Sequence, residues 1–215
     1  MYSYPQWNSN VPKRARGVRY DRRVTTPGPS KAERTRRDIV GAAIEVWAAD
    51  NAASLGDVAQ RAGVGRTTLH RYYTDRAQLV AAVDQECAAR YVAAVVRSRP
   101  DEGSGRDALL RMCTELIQLG PVLGLVFADN ALVDPETWFD DEDDPLGAVV
   151  ARGYADGSLA EDLPGDWIGT FVWTSLFAAH LVVSSGMHTW HEAAGLLTRT
   201  LSSGLAAPTP APRRP

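Results

Sequence analysis

The most informative part of the chain is residues 54–79, SLGDVAQRAGVGRTTLHRYYTDRAQL. Its apolar residues recur at helical spacing in two short runs, which predicts two helices joined by a tight turn and a third helix beginning at the end. Ser54 followed by Asp57 resembles a capping box, so the first of these helices has a start signal. Gly63 tolerates the positive φ that ends such a helix.

The next helix opens at Gly65 or Arg66 and has two different faces. Leu69, Tyr72 and Tyr73 mark its inner side by their spacing. The polar residues that remain free to face outward are Arg66, Thr67, Thr68, His70 and Arg71. Two short helices in this arrangement are typical of a helix-turn-helix, whose second helix lies in the major groove of DNA.

The same segment resembles the tetracycline-repressor (TetR) family of transcriptional regulators. The family run A-x-x-A-G-V-S-x-x-T-L-Y-x-Y-F-x-x-K-x-x-L is matched here by Ala59, Ala62, Gly63, Val64, Gly65, Thr68, Leu69, His70, Tyr72, Tyr73, Arg76 and Leu79. Three positions depart from it: Gly65 stands for the usual Ser cap, His70 for the first aromatic residue and Arg76 for Lys. The segment between Trp47 and Ser54 is also shorter than usual. The match to the family motif is specific over about residues 34–80. Elsewhere the resemblance is limited to the general layout of the chain.

The resemblance implies an all-α fold of about nine helices. A three-helix helix-turn-helix DNA-binding domain at the N-terminus precedes a helical domain for ligand binding and dimerisation. We expect a disordered basic extension at 1–32, the DNA-binding domain at 33–78, the helical effector-binding and dimerisation domain at 79–207, and a disordered tail at 208–215.

The distribution of charge agrees with a DNA-binding end. Residues 1–76 carry 14 Lys and Arg against 7 Asp and Glu, whereas residues 77–215 carry 9 against 19. A basic end suits DNA because neutralising phosphates supplies most non-specific affinity. The basic residues of the extension either follow the DNA as an arm or only solubilise the chain.

Base reading is expected at the front of the second helix of the motif. Arg66 can make two bonds to guanine, and Thr67 or Thr68 can offer a hydroxyl or a methyl group to thymine. His70 and Arg71 lie further along and reach bases or phosphates. The resemblance further implies phosphate contacts from Tyr72, Thr35 and Arg76.

For a ligand, the resemblance implies a pocket in the body that a hydrophobic or planar aromatic effector would fill. The candidate lining residues are Met112, Leu116, Phe127, Trp138, Trp173, Phe177 and His180. Each of them is also compatible with a plain core position, which leaves open a regulator that binds DNA without any effector and acts through dimerisation or a protein partner.

The last two predicted helices, 164–185 and 189–205, are the most apolar. The resemblance implies that they form a homodimer interface, although periodicity alone also allows a buried core helix. The most apolar stretch, 171–183, is interrupted by polar residues, and we expect its 13 residues to be too short for a membrane span of about 20 residues. With no signal peptide at the start, we expect a cytoplasmic protein.

No enzyme class fits the sequence. The His188-x-x-His191-Glu192 cluster lacks the spacing of a zinc helix, and no nucleophile motif or phosphate-binding loop is present. The acidic stretch 134–144 is expected to be a loop rather than a metal site. Cys87 and Cys113 lie in apolar helical contexts, which favours buried free thiols. We therefore predict no catalytic residue, no metal and no cofactor.

Overall fold

The computed structural model describes residues 30–128, 132–138 and 144–204. These residues form nine α-helices, one short 3-10 turn (Pro135–Thr137) and no strand, which confirms the predicted all-α class. The helices are α1 (Lys31–Ala49), α2 (Leu55–Arg61), α3 (Arg66–Tyr72), α4 (Arg76–Arg97), α5 (Gly105–Ile117), α6 (Pro121–Phe127), α7 (Pro145–Ala155), α8 (Gly165–Ser184) and α9 (Trp190–Gly204). Most of the predicted extension and the whole predicted tail lie outside the described residues.

Side-chain caps determine where the first helices begin. At α1, Ser30 accepts a hydrogen bond from the backbone N–H of Glu33, and the Glu33 carboxylate accepts one from Ser30 N in return. Ser54 and Asp57 form the same reciprocal pair at α2, which confirms the predicted capping box. Gly63 follows α2 with φ +68°, a conformation that glycine adopts without strain.

Helix α4 joins the DNA-binding end to the body as one unbroken helix, roughly 33 Å long at 1.5 Å per residue. It packs against α1 in the first part of the fold and against α5 in the body. Apolar residues recur every four positions along this segment of the sequence, which predicts one buried stripe. The structure confirms the stripe, since every member is at most 8% exposed: Leu79, Val83, Cys87, Tyr91 and Val95. A continuous buried stripe makes α4 a stiff link between the two ends.

The body is built around close approach of α5 and α7. A Cβ atom added to Gly105 would lie 2.2 Å from the backbone nitrogen of Gly153, and one added to Gly153 would lie 2.4 Å from Cδ1 of Leu159. These contacts leave no room for a side chain at either glycine. Helices α8 and α9 pack on each other and on α5, while α6 packs on α1 and gives the two ends a second contact.

Helix α8 is apolar on nearly all sides, but only its inner face is buried. Ile168, Val172 and Leu176 are buried, whereas Trp167 and Leu181 are 57% and 48% exposed. By length and composition alone, this 20-residue helix is long and apolar enough to cross a membrane. The pair α5 and α6, which is bent by 97°, meets the same criterion only if the two helices are counted as one span. The expectation of too short a stretch was wrong on length, because the helix continues beyond its most apolar residues. The core helix of a globular domain meets the same criterion.

The two cysteines are buried free thiols, as the sequence predicted. Burial raises the pKa of Cys87 and of Cys113 to about 12. Both side chains therefore stay protonated at neutral pH and serve as small apolar groups in the core.

Arg76 fastens the short loop between α1 and α2 to the start of α4. Its Nη1 donates to the carbonyl oxygen of Ala53 at 2.6 Å, and its Nη2 donates to that of Asn51. The guanidinium also lies over the indole ring of Trp47, with 4.5 Å from Cζ to the ring centroid. Trp47 itself donates from Nε1 to Ala53 O at 3.1 Å. Two side chains thus hold one loop carbonyl and set the entry to α2.

We expect Arg76→Ala to lower the free energy of unfolding by about 2 kcal/mol, because it removes two charge-assisted hydrogen bonds and a cation–π contact. Arg76→Lys should lose most of the same free energy, since an ammonium lacks the planar fork. Thermal unfolding followed by circular dichroism at one protein concentration measures the effect. Arg37→Ala, at an exposed position of α1, is the control. An unchanged midpoint for Arg76→Ala would contradict the bracing role.

Candidate DNA-binding face and effector site

Helix α3 presents its polar residues on one outer face. Its inner side is held in the core, since Leu69 and the following Tyr73 are 1% and 6% exposed. Thr68 is half-buried, and the exposed members of the predicted base-reading set are Arg66, Thr67, His70 and Arg71. Gly65 is the N-cap and makes no side-chain capping bond, as expected for glycine in place of serine. The predicted residues therefore share a surface that is open to a DNA groove.

The guanidinium of Arg66 lies against the first turn of α2. A Cβ atom added to Gly56 would be 2.8 Å from its Nη2, 3.0 Å from its Nε and 3.1 Å from its Cζ. Neighbouring Asp57 has a lowered pKa, chiefly because Ser54 donates hydrogen bonds to its carboxylate and in smaller part because of the Arg66 charge. A cleft of about 410 Å³ opens here between α2 and α3. The sequence showed no sign of this contact, which joins positions ten residues apart.

Two guanidinium groups approach the ring of Tyr72. The Cζ of Arg71 is 5.4 Å from the centroid of the phenol ring, and that of Arg36 is 5.9 Å away on α1. Tyr72 is half-buried, whereas both arginines are exposed. This arrangement concentrates positive charge around a phenol hydroxyl, a combination that suits a DNA phosphate. The family resemblance already implies that the start of α1, near Thr35 and Arg36, approaches a phosphate, and the structure adds that Arg36 lies over the Tyr72 ring.

Three predicted DNA contacts are engaged within the chain. The single hydroxyl hydrogen of Thr35 points to Lys31 O at 3.0 Å, so the hydroxyl must turn before it can donate to a phosphate. Nδ1 of His70 lies 3.3 Å from Thr74 O, and since a carbonyl only accepts, Nδ1 carries the proton. Arg76 is committed to its loop carbonyls. The geometry therefore assigns Arg76 to bracing instead of to the predicted phosphate contact.

In the body, the predicted effector residues belong to a chain of aromatic rings. Trp173 is central: its ring stacks on Tyr91, with 6.1 Å between centroids and 14° between planes, and meets Phe127 edge-on at 6.1 Å. Phe127 also contacts Phe177 at 5.1 Å and His180 at 6.3 Å. Met112 and Leu116 are buried in the same core, 1% and 2% exposed.

Trp138 closes one end of this chain, 5.9 Å from the Tyr91 centroid. Sequence reasoning counted Tyr91 only as part of the α4 stripe, although a stripe that faces the body was a signal for the site. We call these rings the aromatic cluster: Tyr91, Phe127, Trp138, Trp173, Phe177 and His180.

Carboxylates lie at the Trp138 end of the aromatic cluster. Oδ1 of Asp84 accepts from Nε1 of Trp138 at 2.9 Å and from the backbone N–H of Asp134 at 3.0 Å. Burial, and then the negative charge of Asp144, raise the pKa of the Tyr91 phenol above its ordinary value. This end of the cluster is therefore acidic. Of the predicted acidic loop, residues 139–143 lie outside the described residues.

His180 forms the other end of the aromatic cluster, near Trp190 at 6.2 Å between centroids. Its Nε2 lies 3.2 Å from Oγ of Ser184, and its Nδ1 is buried without a hydrogen bond from any described residue. Burial lowers its pKa, which favours the neutral ring. Its Cε1 would be 3.2 Å from a Cβ on Gly124 of α6, and Ala48 of α1 would be 3.1 Å from the same point. Only Gly124 thus separates His180 from Ala48 of α1, which belongs to the helix-turn-helix end.

Comparison with known proteins places this geometry in a family. The family model of bacterial regulatory proteins of the tetR family matches residues 39–83. The HTH-type transcriptional repressor LfrR of Mycolicibacterium smegmatis is 34% identical over 176 residues, which is 80% of this chain and 91% of that protein.

Solved structures agree with the sequence relationship. The TetR-like regulator LfrR from Mycobacterium smegmatis in complex with proflavine superposes with a TM-score of 0.63 at 32% identity, over 83% of this chain and 99% of that one. A bacterial regulatory protein of the tetR family from Rhodococcus RHA1 has a TM-score of 0.65 at 15% identity, over 84% and 100% of the two chains; it shows the fold alone.

The helix-turn-helix with its open polar face, the all-helical body and the identity along most of both chains lead to one conclusion. The protein belongs to the TetR family of transcriptional regulators, and so is a DNA-binding regulator and not an enzyme.

Proposed function

We propose that the protein is a homodimeric repressor that binds a palindromic operator and leaves it when a planar aromatic effector binds the body. The observation that carries this proposal is the exposed polar face of α3, held by a buried Leu69 and Tyr73. Repression is inferred from the relative named as a repressor. Such a protein works where the chromosome is, in the cytoplasm.

Two kinds of DNA contact are proposed for this face. Arg66 reads a guanine, with Thr67 and Thr68 beside it, because these side chains lie at the front of the helix and pair with base edges. Tyr72 with Arg71 binds backbone phosphate, supported by the positive charge of Arg36, and His70 adds to the same contacts from its exposed edge. Thr35 joins them only if its hydroxyl turns away from Lys31 O.

The homodimer is proposed through α8 and α9. Large apolar side chains lie exposed on this pair and the loop between them, at Trp167, Leu181, Met187 and Leu196. Covering such side chains is favourable by roughly 25 cal/mol per Å² of apolar surface. A two-fold dimer also supplies two recognition helices, which a palindromic site requires.

The aromatic cluster is proposed as the effector site. Flat rings with one acidic end fit a planar aromatic molecule, and a cationic one in particular, because Asp84 and Asp144 favour positive charge there. The proflavine complex of a 32% identical relative supports this class of effector. Met112 and Leu116 would form the apolar floor.

Release of DNA follows from linkage between the two sites. The proposed division between DNA-binding and effector domains at residue 78 falls inside α4, so movement of the body moves the recognition helix. A second route runs from His180 through Gly124 to Ala48 of α1. The effector must bind the released conformation better than the DNA-bound one, and DNA must weaken the effector by the same factor.

A second candidate function is a regulator without an effector. The mutual contact of the aromatic rings favours it, since rings that fill the space with each other need no ligand to complete the core. In that case the protein would act through dimerisation or a protein partner.

Selection from a random duplex library tests the DNA-binding proposal. We expect an enriched inverted repeat, with affinity that falls as salt rises. Arg66→Ala should weaken binding to the selected site by about 10- to 100-fold, because a bidentate guanine contact contributes about 1–3 kcal/mol, and leave non-specific binding nearly unchanged. Arg71→Ala should weaken both kinds of binding and flatten the salt dependence. A retained pool with no enriched sequence would refute sequence-specific recognition.

Sedimentation of a charged variant tests the dimer. Leu181→Glu should give a folded monomer that has lost operator affinity, because an unpaired carboxylate cannot be buried between two subunits. Val96→Glu is the matched control, since Val96 is 66% exposed on α4, away from α8 and α9. We expect it to sediment as the wild type does. A Leu181→Glu protein that remains dimeric would argue against this surface.

Proflavine is the probe for the effector site. We expect it to raise the melting temperature of the DNA-free protein and to quench its tryptophan fluorescence, and then to release the operator. Asp84→Asn should weaken proflavine binding several-fold while the amide oxygen still accepts from Trp138; Asp101→Asn, in an exposed loop, is the control. The first measurements omit DNA because planar cations also intercalate. Absence of any binding would favour the regulator without an effector.

A further inference from the structure

The contact between Gly56 and Arg66 has no explanation in the folding of either helix. Gly56 lies within α2, where alanine would form the helix better. Its missing side chain leaves the space that Nη2, Nε and Cζ of Arg66 occupy, all within 3.1 Å of where a Cβ would be. By contrast, a Cβ on Gly41 of α1 would meet nothing within 4 Å. Glycine at position 56 therefore makes a place for the arginine.

The residues around Gly56 favour the position of the Arg66 guanidinium against α2. The Asp57 carboxylate next to it is held by Ser54, at 2.8 Å from the backbone N and 2.7 Å from Oγ. A fixed negative charge beside Gly56 attracts the guanidinium to the same turn of α2. Leu69 and His70 also line the cleft. The guanidinium thus lies against the first turn of α2 while Arg66 as a whole remains exposed.

We propose that Gly56 is a specificity-determining positioning residue: its lack of a side chain seats the guanidinium of Arg66 against α2, so that the arginine meets DNA in a preset orientation. The inference rests on the proposed base-reading role of Arg66. A bidentate bond to guanine requires a particular plane for the guanidinium, and an arginine that is ordered before binding loses less conformational freedom on binding.

A different role for Gly56 would be close approach of the α2 backbone to a DNA phosphate, which a methyl group would hinder. The two roles differ in one respect. If a methyl group at position 56 hinders the approach of the backbone to DNA, Gly56→Ala weakens binding whatever residue stands at position 66. If Gly56 positions the guanidinium, Gly56→Ala has an effect only when Arg66 is present.

The experiment is a double-mutant cycle with Gly56→Ala, Arg66→Ala and the double variant. Affinity is measured for the selected operator and for operators with each base pair of one half-site changed. We expect Arg66→Ala to abolish discrimination at one base pair and Gly56→Ala to reduce discrimination there by about tenfold, within the range of a single base contact. In the double variant, Gly56→Ala should add nothing. The melting temperature of the single variant Gly56→Ala should equal or exceed that of the wild type. Alanine favours the helix, and only the end of the flexible Arg66 side chain must move.

Two further variants keep the inference testable. Arg66→Lys retains the charge but has no planar group to seat, so we expect it to discriminate less at that base pair than the wild type does, whether or not Gly56→Ala folds. Gly41→Ala makes the same substitution in α1 with open space around it and should leave discrimination unchanged.

The outcomes separate the two proposals. If Arg66→Ala changes discrimination and Gly56→Ala does not, the seating role is overturned and the base-reading role stands. If Gly56→Ala weakens binding equally with and without Arg66, the backbone-approach role replaces seating. If Arg66→Ala leaves every base preference intact, the base-reading role fails, and the seating role fails with it.

Discussion

The buried apolar stripe of α4 is the constraint on which both ends of the molecule depend. Five side chains at successive helical turns, from Leu79 to Val95, face one continuous core, and α4 packs on α1 at one end and on α5 at the other. Because one rigid helix contributes to both cores, neither end can rotate without the other. Arg76, at the first turn of α4, extends this constraint to the loop before α2. The orientation of the recognition helix is therefore set from the body.

A structural feature of this fold could be predicted from the sequence when the residues that form it lie close together in the chain. The capping box of Ser54 and Asp57, the turn at Gly63 and the α4 stripe were all predicted, because each depends on residues a few positions apart. The aromatic residues of the body were predicted as a set, but Tyr91 was not placed among them. The contacts of Arg66 with Gly56 and of Arg76 with the loop carbonyls were missed, since they join different helices and leave no periodic trace.

The candidate site shows the same division. Residue types on α3 indicated the DNA-facing side, because an exposed polar face is visible from spacing alone. Whether an individual side chain is available for DNA depends on its partners in the folded chain, which is why Thr35 and Arg76 proved to be engaged elsewhere. The acidic character at the Trp138 end comes from Asp144, which belongs to the acidic stretch seen in the sequence, and from Asp84, a residue without any distinguishing signal there.

The backbone contact of Gly105 with Gly153 has a consequence for how the body can move. Where the main chains of two helices touch, no side chain lies between them that could re-pack, so the crossing at Gly105 and Gly153 resists sliding. Helices α5 and α7 therefore act as a fixed frame. A change of shape of the body is then expected in the helices packed on that frame, α4, α8 and α9, rather than between α5 and α7. The division between a static and an adjustable part of the body is thus encoded by two glycines.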